Sequence, residues 1–141
     1  MENDFKGNRI SYNLVRGNIR KEVSGYFAGT SEDDFTDALV KYDPKTNTVA
    51  VDEHASDDYA KYAAIHECIC CGPYGHLAPE VDNPNKRCGA IDKMIVAAIP
   101  KQKRAAYIAK RIEMFETLIE KHLNQSMEPA FHESLKMLKA L

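Results

Sequence analysis

Ser56-Asp57-Asp58-Tyr59-Ala60-Lys61-Tyr62-Ala63-Ala64-Ile65-His66-Glu67-Cys68-Ile69-Cys70-Cys71-Gly72-Pro73 is the segment on which the reading of this chain turns. Ser56 is a good N-cap, and Asp57 and Asp58 in the first turn complement the positive end of a helix dipole. Gly72 suits the position just past a helix and Pro73 blocks its continuation, so the segment predicts one helix over about 56–71. Within it Tyr59, Tyr62, Ala63, His66, Ile69 and Cys70 share one face, while Ala60, Ala64, Cys68 and Cys71 line much of the other. A helix this apolar all round is buried. Residues four apart stack, so the His66 imidazole and the Cys70 thiol can grip one metal ion with Glu67 beside it.

A catalytic zinc takes three protein ligands and leaves one position for water, so a third donor must come from elsewhere. Downstream, Asn83-Pro84 offers an N-cap and a first-turn proline for a helix of about 84–99, in which Cys88, Ile91, Asp92, Ile95 and Ile99 fall on one stripe. Cys88, opening that stripe, is the best third ligand. His76, in the connecting loop, is its rival and the candidate for a fourth. An aspartate on an apolar stripe calls for a partner, and metal-bound histidines pass their second ring proton to a carboxylate or carbonyl; Asp92 is therefore expected to support His66. Glu67 is placed to act as general base toward a water attacking a carbonyl, and Tyr62 to reach a substrate oxyanion.

Upstream, Ile10, Tyr12 and Leu14 alternate with polar residues and suggest a strand from Arg9 to Val15. Gly17 to Phe27 fits helix and strand equally, and Thr30 to Asp34 reads as a polar linker. Ala38-Leu39-Val40-Lys41-Tyr42 and Thr48-Val49-Ala50-Val51 are β-prone runs around Asp43-Pro44-Lys45-Thr46-Asn47. Pro44 fits the second position of a turn and Asn47 tolerates a left-handed backbone, which predicts an antiparallel hairpin. Toward the C-terminus, Ile108, Ile112, Phe115 and Ile119 give an amphipathic helix over 101–122. Phe131, Leu135 and Leu138 mark the inner face of a last one over 128–141.

At 141 residues with a formal charge of −2, the chain reads as a single domain, 1–141, with no electrostatic pull toward nucleic acid or an anionic membrane. No stretch resembles a signal peptide or a membrane span, which places the protein in the cytoplasm. Three of the four cysteines crowd one helical turn, which argues against a disulfide framework. Taken singly, Cys68 and Cys71 read as packing thiols. Lys101, Lys103, Arg104, Lys110 and Arg111 beside Tyr107 read as a solvated face, and His54, His122 and His132 as solvated histidines. The H-x-E and P-C-x-x-C spacings of the zinc deaminases are absent.

The succession of hairpin, Val49-Ala50-Val51-Asp52, buried helix with His66-Glu67-x-x-Cys70, and following helix with Cys88-x-x-x-Asp92 resembles the small zincin metallopeptidases, in particular their gluzincin-like branch. The resemblance runs from about Ala38 to Ile99. There the first helix carries H-E-x-x-H, and the second an E-x-x-x-D whose glutamate binds zinc and whose aspartate supports the first helix. His66, Glu67 and Asp92 match directly; Cys70 and Cys88 stand where the family has its second histidine and its glutamate. Both departures are toward cysteine, which favours a re-ligated metal site over decay. The resemblance implies a zincin-like α+β fold, with a short antiparallel sheet or hairpin packed on a mainly helical domain. It also implies zinc as cofactor and a peptide or protein substrate held by strand addition to an open edge. Two other readings stay open: an inactive binding or regulatory domain with structural zinc, and a redox or metal sensor built on Cys68, Cys70 and Cys71.

Overall fold

A computed structural model describes residues 1–18, 40–121 and 126–141. Beyond Asn18, the ambiguous stretch to Phe27 lies outside the described residues, as do the Thr30 to Asp34 linker, Ala38-Leu39 and His122. The described residues form four helices and two small sheets, an α+β architecture as the sequence implies. They divide into two compact units, Met1–His76 and Leu77–Leu141.

In the first unit, β1 (Glu2–Phe5) and β2 (Asn8–Ser11) form a hairpin with Phe5 opposite Asn8. Lys6 and Gly7 make the two-residue turn with φ of 51° and 80°, the doubly left-handed conformation whose twist matches that of the strands. The strand expected from Arg9 to Val15 is in fact two, β2 and β3 (Asn13–Gly17). The break falls at Tyr12, whose backbone exchanges two 3.0 Å hydrogen bonds with Met1. One residue later the chain joins another sheet, where the Asn13 amide donates to the Asn47 carbonyl at 2.8 Å.

That second sheet has the order β3-β5-β4, with β4 at Val40–Asp43 and β5 at Thr48–Asp52. β4 and β5 are the expected antiparallel hairpin, with Asp43 opposite Thr48. Its turn is held by Asp43, whose carboxylate accepts from the Lys45 amide and the Thr46 hydroxyl, each at 3.0 Å. Asn47 adopts the left-handed backbone expected of it, φ 51°. Its side chain ties the sheets together, accepting from the Tyr42 hydroxyl at 2.5 Å and donating to the Ser11 carbonyl at 2.8 Å. On the far side of β5 the pairing is parallel, from Asn13 opposite Thr48 to Gly17 opposite Asp52. The sheet is therefore mixed. Alternation in a sequence assigns faces to a strand but carries no information on its direction.

Helix α1 (Asp57–Cys70) begins as predicted, with the Ser56 hydroxyl accepting from the Tyr59 amide at 3.1 Å. Arg16 of β3 braces this start: its guanidinium pairs with Asp57 at 2.6 Å and donates to the Ala55 carbonyl. The helix is buried on most of its circumference, at Tyr59, Ala60, Ala63, Ala64, Ile65, His66, Cys68 and Ile69. With Ile10, Val49 and Val51 these residues make the core of the unit. At its end the Cys68 carbonyl accepts from Gly72 at 3.1 Å and Tyr74 at 3.3 Å. A Cβ at residue 72 would stand 2.5 Å from the Tyr42 hydroxyl oxygen and 2.7 Å from the Cys68 carbonyl oxygen, so close approach requires glycine there.

The second unit is helical. Asn83-Pro84 opens a single 3-10 turn, Pro84–Lys86, with Asn83 accepting from the Asn85 amide at 3.0 Å. The turn runs into α2 (Arg87–Ala98), followed by α3 (Lys101–Lys121) and α4 (Glu128–Lys139). Ile91, Asp92, Ile95 and Ile99 are buried as one stripe. Gly89 lets α4 come close: a Cβ there would lie 2.7 Å from the Met137 sulfur and 3.2 Å from the Ser134 Cα. Arg104 satisfies carbonyls at the end of α2, donating to Ile99 at 2.7 Å and Ala97 at 3.0 Å. The inner face of α3 differs from the expected isoleucine stripe. Tyr107, Arg111, Met114 and Phe115 are buried, whereas Ile108, Ile112 and Ile119 are only partly covered. Arg111 lies on this inner face, paired with the buried carboxylate of Asp92. No helix among the described residues is long and apolar enough to cross a membrane.

Candidate metal centre

His66 is almost fully buried on α1, and Cys70, one turn later, is half-buried. Cys88, the second residue of α2, is half-buried too. One imidazole nitrogen and the two sulfurs of these residues lie within 4.8 Å of one another. His66, Cys70 and Cys88 can hold a metal ion. These are the three residues that the helical stacking and the apolar stripe of the sequence point to. His76, the rival donor, is exposed in the 3-10 turn Gly75–Leu77 and is not part of the group.

Glu67 follows His66 by one residue, about 100° further round the helix, and is half-buried. Tyr62 is half-buried one turn before His66, with the Lys61 ammonium 5.2 Å from its ring centroid. His54 and His132 are exposed beside Glu53 and Glu128, as expected of solvated histidines.

Asp92 is wholly buried, and its carboxylate is held from α3. One oxygen accepts from the Tyr107 hydroxyl at 2.8 Å; the other accepts from Arg111 Nε at 3.1 Å and pairs with its terminal nitrogen at 3.0 Å. The rest of the Arg111 guanidinium meets the Met114 sulfur at 3.6 Å and the face of Phe115, 5.3 Å from the ring centroid. Arg111 is only 2% exposed, which corrects its assignment to a solvated basic face; Lys101, Lys103 and Lys110 do lie in solvent. Tyr107 belongs to the same buried network. The signal was present in the sequence. Tyr107, Arg111, Met114 and Phe115 themselves have helical spacing, and Asp92 lacked a cation.

None of the four cysteines is in a disulfide. Cys68 is fully buried, and burial, followed by the nearby Glu67 charge, pushes its thiol up to about 12. Burial, then Cys68 and Cys71, likewise raise Tyr42 to about 12. Cys71 is exposed. A thiol titrating that high is only about one ten-thousandth thiolate at pH 8, and the thiolate is the nucleophile. Brief iodoacetamide treatment of native protein at pH 8 is therefore expected to alkylate Cys71 and leave Cys68 unmodified until denaturant is added. Peptide mass spectrometry reads both sites. Equal labelling of the two would contradict the packing role of Cys68.

No protein-family model, curated protein or solved structure matches this chain.

Proposed function

We propose that the protein is a zinc-dependent, metallopeptidase-like hydrolase, with His66, Cys70 and Cys88 as metal ligands and Glu67 as general base. The observation that carries this reading is the approach of one imidazole nitrogen and two sulfurs to within 4.8 Å of one another. Imidazole with two thiolates is a donor set suited to zinc, and three protein donors leave the fourth position of a tetrahedral site for water or substrate. Zinc, when bound, polarises a carbonyl oxygen and acidifies water.

The chain's own residues account for the remaining chemistry. The Glu67 carboxylate takes the proton of the attacking water and returns it to the leaving amine. Tyr62, on the same helix face as His66, donates a hydrogen bond to the oxyanion as it forms. Cys70 puts a thiolate where the usual motif has a neutral histidine, one more negative charge among the donors, so turnover is expected to be slower than with H-E-x-x-H.

The test is peptide hydrolysis by zinc-loaded protein and by Glu67→Gln. The substitution keeps size and removes the basic oxygen, so it is expected to cut kcat by 10²–10⁴-fold, the usual contribution of a general base, at unchanged zinc content. Full activity in Glu67→Gln would remove Glu67 as the base. Stoichiometric zinc with no hydrolysis by the parent protein would instead favour a structural zinc on the same scaffold.

A further inference from the structure

Cys88 and Asp92 are four residues apart on α2 and so lie one above the other on one face, about 6 Å apart along the axis. The Asp92 carboxylate is fixed by three donor groups of α3: the Tyr107 hydroxyl and two nitrogens of Arg111. All three residues are buried, and the Arg111 fork is itself immobilised by Met114 and the Phe115 ring. Gly89, next to Cys88, faces α4, where an added Cβ would stand 2.7 Å from the Met137 sulfur and 3.2 Å from the Ser134 Cα, so α4 packs closely on this part of α2. The helix is thus held at Asp92 by α3 and at Gly89 by α4, positions about 40° and 100° round from Cys88.

Magnitude decides what this pinning can do. A side-chain atom some 5–6 Å from a helix axis swings by about 2 Å when the helix rolls 20°. Metal–ligand distances are held to within roughly ±0.2 Å. A small roll of α2 would therefore move the Cys88 thiol by more than a metal–ligand bond tolerates. We infer that Tyr107 and Arg111 are positioning residues for the metal centre, acting through Asp92 to hold Cys88 at the angle at which it can ligate.

This inference rests on the metal reading above and is tested separately from it. Tyr107→Phe keeps the ring and removes one donor; Arg111→Lys keeps the charge and removes the fork. Each is compared with the parent and with the surface variant Lys110→Ala, by zinc competition against a chromogenic chelator and by the absorption spectrum of the cobalt(II)-substituted protein. Tyr107→Phe and Arg111→Lys are expected to weaken zinc binding by about tenfold or more, as loss of outer supporting partners does. Their cobalt ligand-field and thiolate bands should shift, while Lys110→Ala matches the parent. A fold-stabilising role alone would lower the urea midpoint and leave those bands in place. If Arg111→Lys does not fold, Tyr107→Phe decides. Zinc affinity within twofold of the parent and a superimposable cobalt spectrum would overturn the positioning role and leave the ligands standing. A parent protein that binds no zinc overturns both.

Discussion

Zinc bound at about one ion per chain by the parent protein is expected to fall to background in Cys70→Ala and in Cys88→Ala, read by elemental analysis after dialysis against a weak chelator. Each substitution removes one of three donors that converge within 4.8 Å. Loss of an outer partner alone costs about 10–100-fold in affinity, so loss of a direct ligand should cost more. Cys68→Ala and Cys71→Ala serve as controls from the same turn of helix. Cys68 is sealed in the core and Cys71 points to solvent, and both variants should keep their zinc. Because thiols and imidazole must shed protons to ligate, binding by the parent should weaken as pH falls. Undiminished one-to-one zinc in both Cys70→Ala and Cys88→Ala would remove those two assignments.

Asp92→Ala is expected to be the most destabilising single change in the helical unit, by about 3–5 kcal/mol, the usual effect of leaving one member of a buried ion pair alone. Against total stabilities of about 5–15 kcal/mol this is a large fraction. The reason is desolvation. Arg111 is 2% exposed, so removing Asp92 takes from a buried guanidinium the carboxylate it pairs with. Urea denaturation measures the loss. The double variant Asp92→Ala/Arg111→Met should recover much of it, since removing both charges removes the penalty. A loss for Asp92→Ala no larger than the ~1 kcal/mol of an exposed pair would show that the pair is not sealed from solvent.

The helices were legible in the sequence because their signals are local. Ser56, Gly72-Pro73 and Asn83-Pro84 lie within a residue or two of the observed boundaries, and the Asp43 to Asn47 turn fixed the β4–β5 hairpin. The three residues that could hold a metal ion were legible for the same reason, two stacking within one helical turn and the third opening a stripe. What escaped depended on partners distant in the chain. Nothing near Leu14 or Val15 says that β3 runs parallel to β5; the Lys6-Gly7 hairpin is the exception, local but set in a polar N-terminus without an apolar alternation. Arg111, a charged residue among charged neighbours, reads as surface in the sequence. Only the three-dimensional approach of Asp92 to α3 reveals it as core.

The parallel pairing of β3 with β5 also bears on how the chain finds its structure. Both hairpins and the helices close over short stretches of chain, in steps of microseconds or less. Asn13 can meet Thr48 only after a long loop has been closed, and the entropy of that closure is spent before any hydrogen bond repays it. The first unit thus carries the high contact order of the molecule and should limit its folding rate. Asn47, whose carbonyl and side chain accept from and donate to residues of three different strand segments, sits where that closure is consummated.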